Sequence, residues 1–189
     1  MRLFLAVDMP DFVRKSAGDL VRQMNIPAQK VRWVKEENLH ITLKFLGETP
    51  MEKLDAVKEG AMAAAAGFGP IGVCVEGAGV FPNKIKPRIF WLGIKGDAAS
   101  LARLAAALNA AMAKLGFESE DRPFSPHLTI GRVQVDSVKG QVIRAAAACK
   151  DASLGSFTAD RLFLYESVLG PGGPKYTALG EFPLAGQGR

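Results

Sequence analysis

Both histidines of the chain open the same four-residue frame, His40-Ile41-Thr42-Leu43 and His127-Leu128-Thr129-Ile130. With five threonines among 189 residues, composition alone places Thr two residues after both histidines about once in a thousand such chains. On a strand, residues two apart share a face. Each frame therefore offers an imidazole beside a hydroxyl. Histidine titrates near neutrality, so one ring of a pair can be neutral while the other is protonated. Threonine hydroxyls can donate to non-bridging oxygens as charge builds in a transition state. Arg132, five residues after His127, adds a cation suited to phosphate. An ideal strand gives it the wrong parity for the His127 face, and a bulge at Gly131 would re-aim it. This set suits a phosphodiester with an alkoxide leaving group, such as a five-membered cyclic phosphate, and needs no metal.

Other readings of the same residues exist. A lone strand histidine is more often a hydrogen-bonded structural residue; two in matched frames, with none elsewhere, favour a shared site. Thr42 and Thr129 are equally good strand formers. Trp33, Phe81, Trp91 and Tyr176 could stack on a base, although core or rim packing is the commoner role of such residues.

The elements that must position these groups read twice along the chain. After His40 the alternation predicts a strand with His40, Thr42 and Lys44 on one face and Ile41, Leu43 and Phe45 on the other. Thr49-Pro50-Met51-Glu52 then reads as a capping box opening a helix through Leu54, Val57, Ala61, Met62 and Ala65. After His127 the same order appears, with a helix from Asp136-Ser137 through Val138, Val142, Ala145 and Cys149. The expected N-caps, Thr49 and Asp136, stand at equal offsets from their histidines. Two β-like runs follow each helix: "IGVCVEGAGVF" and "RIFWLGI", then "SFTADRLFLYES" and "YTALGEFPL". Two more helices are expected, one near Pro10 and one from Asp97 to Gly116. The pattern predicts an α+β fold built as a bilobal, pseudo-two-fold duplication. Mainly antiparallel sheets would line a central cleft, with helices outside and His40 facing His127.

Composition bounds the rest. The length fits one bilobal domain over residues 1–189. A net charge of +5 favours an anionic partner. Leu3 to Val7 is too short an apolar run for a signal sequence or membrane span, and Cys74 and Cys149 show no pairing or metal-binding pattern. The expectation is a cytoplasmic monomer with no metal and no cofactor.

The stretches "VRWVKEENLHITLKFLGE", "GVFPNKIKPRIFWLGI", "FSPHLTIGRV" and "LYESVLGPGGPKYTALGEFPL" together resemble the two-histidine phosphoesterase superfamily. The nearest resemblance is to RNA 2′,3′-cyclic phosphodiesterases, also called 2′-5′ RNA ligase-like proteins. The resemblance implies a bilobal fold with the two His-x-Thr strands facing across a groove. It implies metal-independent opening of an RNA 2′,3′-cyclic phosphate to a 2′-phosphate. His40 would be the proton donor to the leaving oxygen and His127 the proton acceptor from water, with Thr42 and Thr129 completing the two catalytic motifs and Arg132 binding phosphate. The near-equivalent repeats do not themselves order the histidines. Joining of RNA ends through a 2′-5′ linkage at the same site, or a non-catalytic RNA or nucleotide binder, are the alternatives.

Overall fold

The computed structural model describes residues 1–186. Four helices and two antiparallel sheets make an α+β fold. In chain order the elements are β1 (Arg2–Asp8), α1 (Asp11–Met24), β2 (Val31–Trp33), β3 (His40–Glu48), α2 (Leu54–Ala65), β4 (Ile71–Phe81), β5 (Ile89–Gly96), α3 (Ala98–Lys114), β6 (His127–Val133), α4 (Lys139–Ala148), β7 (Ser153–Ala159), β8 (Arg161–Gly170) and β9 (Gly173–Pro183). One sheet has the order β3-β1-β8-β9, the other β2-β6-β5-β4-β7. Helices α2 and α3 cover the back of the first sheet, while α1 packs on β7 and α4 on β4 of the second.

The strand order shows what is repeated. The run β1-α1-β3-α2-β4 corresponds to β5-α3-β6-α4-β8, and in each the last strand crosses to the other sheet. Thus β4 pairs with β5, β8 pairs with β1, and β3 and β6 hold equivalent places. The repeat therefore begins one strand and one helix before each histidine, earlier than the motifs alone indicate. The exchange buries both halves in one apolar interior, where Leu5 and Ile41 join Phe90, Leu128 and Leu164.

Three local expectations need correction. No capping box forms at Thr49: its hydroxyl donates to the Gly47 carbonyl at 3.2 Å. A 3₁₀ turn, Met51–Lys53, capped by Pro50 without a side-chain bond, precedes α2. A 3₁₀ turn, Asp136–Val138, likewise precedes α4. Equal offsets fail as well, because β3, counted from its histidine, is nine residues long and β6 only seven. Finally, "SFTADRLFLYES" is two strands broken at Asp160, and the first of them, β7, is an edge strand beside β4. Asp97 does cap α3, accepting from Ser100 N at 3.0 Å.

Candidate active site

Bulges decide which side chains reach the cleft. On β3, Leu5 pairs with Lys44 and Ala6 with Thr42, so Leu43 is an extra residue and the alternation shifts. Lys44 consequently turns inward, 2% exposed, and Phe45 turns outward. This reverses the faces expected of Lys44 and Phe45 from alternation alone. Inside, Lys44 Nζ donates to Asn109 Oδ1 at 2.9 Å and to the Glu118 carbonyl at 2.7 Å, a hydrogen-bonded environment that a buried ammonium requires.

On β6 the extra residue is Ile130. Thr129 pairs with Trp91, and Arg132 with Ile89. The shift puts Arg132 on the same face as His127 and Thr129, despite its odd spacing. The bulge lies one residue before Gly131, and Gly131 is needed beside it: a Cβ there would approach Trp33 and Val31 within 2.9 Å.

The two histidines are held alike. His40 Nδ1 lies 2.8 Å from the Asn38 carbonyl, and His127 Nδ1 lies 2.8 Å from the Ser125 carbonyl. A carbonyl only accepts, so each Nδ1 carries a proton and each Nε2 is the working nitrogen. An aromatic edge flanks each ring, Tyr176 at 5.3 Å from His40 and Phe81 at 5.1 Å from His127. Trp91 lies against Phe81 at 5.0 Å. Its ring covers Gly79, where a Cβ would come within 2.2 Å of the indole. Trp33, by contrast, packs against Phe90 and donates to the Ile26 carbonyl at 3.1 Å, away from the cleft.

Their environments differ. His40 sits under Phe4 (4.7 Å) and beside Tyr176, and Thr42 Oγ1 meets its Nε2 at 2.9 Å. Loss of water pushes its pKa down to about 4, helped by the charges of Arg14 and Arg132 and opposed by the Asn38 carbonyl and Asp8. In the free protein His40 is therefore neutral at pH 7, with Thr42 donating to Nε2. Burial also raises the Tyr165 phenol, to about 12, and the Tyr176 phenol. Both remain neutral hydrogen-bond donors.

β3 and β6 approach where the sheets meet, the Arg132 charge reaches His40, and Arg132 shares its strand face with His127 and Thr129, so His40, Thr42, His127, Thr129 and Arg132 make up the candidate site. Phe4 and Tyr165, stacked at 5.4 Å, and the carbonyls of Asn38 and Ser125 belong to the same site. Sequence reasoning passed over them, although alternation in Arg2–Asp8 puts Phe4, Ala6 and Asp8 on one face. Asn38 is itself fixed, its Nδ2 donating to the Pro174 carbonyl at 2.8 Å. Among the described residues no group of three or more His, Cys, Asp or Glu is placed to hold a metal ion. No helix among them is long and apolar enough to cross a membrane. A separate cavity of about 380 Å³, lined by Gly18, Arg22, Lys35 and Ile130, contains neither histidine.

The sequence profile of the 2′-5′ RNA ligase superfamily matches residues 14–171. The chain is 37% identical over 183 residues to a protein of Archaeoglobus fulgidus named RNA 2′,3′-cyclic phosphodiesterase, covering 96% of this chain and 99% of that one. A Thermotoga maritima protein of the same name is 34% identical, with 98% and 97% covered. Among solved structures, TT0787 of Thermus thermophilus superposes with a TM-score of 0.82 at 30% identity, covering 99% of this chain and 100% of that one. E. coli LigT complexed with 3′-AMP gives 0.77 at 28% identity, with 97% of each chain covered. With a match in sequence and in fold over nearly the whole length, and a His-x-Thr strand in each sheet, the chain belongs to the 2′-5′ RNA ligase superfamily.

Proposed function

We propose that the protein hydrolyses RNA 2′,3′-cyclic phosphate ends to 2′-phosphates by metal-independent acid–base catalysis, with His40 as proton donor and His127 as acceptor. The carrying observation is the matched pair of Nδ1–carbonyl bonds, which leaves one Nε2 for chemistry on each side of the cleft. The names of the relatives and the 3′-AMP complex of LigT support an RNA-end substrate.

Water attacks phosphorus while His127 Nε2 takes its proton. The bond from phosphorus to the 3′ oxygen breaks, and His40 Nε2–H protonates that oxygen. The products are a 2′-phosphate and a free 3′ hydroxyl. Thr42, Thr129 and Arg132 hold the non-bridging oxygens, where charge accumulates.

A pKa of about 4 would leave His40 a poor donor in the empty cleft. The substrate changes this. One phosphate charge about 4 Å away, at an effective dielectric near 20, favours the imidazolium by about 4 kcal/mol, or roughly 3 pK units. That suffices to return His40 to its ordinary range, so the anion brings the acid into its working form. The same chemistry fits a monomer acting in the cytoplasm, where RNA is met.

Turnover of a nucleoside 2′,3′-cyclic phosphate in EDTA tests the proposal. The wild type should give the 2′-phosphate product, and His40→Ala and His127→Ala should each lose about 10²–10⁴-fold. Activity that needs an added metal, or survives either substitution, contradicts it; binding without turnover would mark a non-catalytic binder.

A further inference from the structure

Arg32 stands directly opposite Arg132 in the β2–β6 register. Directly opposed residues point to the same side with Cβ atoms about 5 Å apart, and like charges so placed repel. The flanking residues fix which side. Val31 is buried, and Trp33 packs on Phe90 in the interior. Arg32 therefore lies on the cleft face with Arg132, and both are exposed. Nothing among the described residues neutralises them: Arg32 donates only to the neutral Gln134 Oε1, at 3.4 Å, and neither guanidinium has a carboxylate partner among those residues. Two unneutralised guanidinium groups held directly opposite one another on paired strands call for an anion from outside.

We propose that Arg32 forms a subsite for a second phosphate, the diester on the 5′ side of the terminal nucleoside, and so makes the protein prefer oligonucleotides to mononucleotides. This rests on the function proposed above, which assigns the reacting phosphate to the histidines and Arg132. A cyclic phosphate occupies the 3′ end, so the rest of an RNA strand can leave only through the 5′ oxygen of that nucleoside. Moving outward from Arg132, the next cation on the same face is Arg32, on β2, the edge strand of its sheet. The strand thus exits over an open edge. On the other wall Phe4, Tyr165 and Tyr176 offer aromatic rings instead of charge.

The experiment compares kcat/KM for a nucleoside 2′,3′-cyclic phosphate and for a trinucleotide ending in the same group, in wild type, Arg32→Gln and Arg32→Lys. Arg32 is exposed on an edge strand, so folding is preserved. Arg32→Gln should lose about tenfold on the trinucleotide, stay within about twofold on the mononucleotide, and lower the salt dependence of trinucleotide use by about one phosphate contact. Arg32→Lys should retain most of the preference. Equal losses on both substrates, or no loss on either, overturn the subsite. If the wild type turns over neither substrate, the catalytic reading fails by itself. The subsite is then decided by binding of the two 2′-phosphate product analogues: a trinucleotide advantage removed by Arg32→Gln upholds it, and equal affinities refute it.

Discussion

A histidine held neutral between Phe4 and Tyr176 makes stability depend on pH in a defined window. The unfolded chain protonates His40 near its ordinary pKa of 6.5, whereas the folded chain does so only near 4. Between those values the unfolded state binds more protons, so stability is lost as pH falls through the window and is unaffected by this group above it. The full difference is about 3 kcal/mol. Equilibrium denaturation at pH 7 and pH 4.5 should show His40→Gln losing less stability than the wild type over that interval; an equal loss in both would show that His40 is not held neutral. His127 was as visible in the sequence as His40, but their inequality was not. It arises from rings supplied by β1 and β9, far away in sequence, which no spacing of the two motifs reveals.

At the level of elements, the two bulges do what alternation could not foretell. Periodicity identified β3 and β6 and all four helices, because burial of one face imposes it. It misassigned Lys44 and Phe45, because an extra residue at Leu43 changes parity without leaving a mark on composition. On β6 the same device serves the site, bringing Arg132 round to the histidine face. Inward-turned Lys44 ties β3 to Asn109 on α3 and to the Glu118 carbonyl in the segment between α3 and β6, and the carbonyl of Ser125 in that segment orients His127. Replacing Lys44 by Met leaves those acceptors without their ammonium. We expect a stability loss of about 3 kcal/mol, read by urea unfolding, and a lower kcat with little change in KM. Unchanged stability and kcat would show that this buried ammonium holds nothing in place.

Across the whole molecule, duplication with an exchanged last strand explains why one active site needs both halves. Each sheet contains strands from both repeats, so β3 and β6 cannot separate without opening the shared interior. Two equivalent strands then bring their histidines toward one site, and in the proposed reaction one ring acts as the acid and the other as the base. The pairing was legible from the repeated His-x-Thr frame; the crossover of β4 and β8 was not, since strand exchange leaves the order of elements unchanged. The division of labour between the rings is the claim on which the account stands. It is tested most directly with a substrate in which sulfur replaces the 3′ leaving oxygen, because a thiolate departs without a proton. The account predicts that His40→Ala recovers most of its lost activity on this substrate while His127→Ala remains impaired. Recovery in His127→Ala instead, or in neither variant, would contradict it.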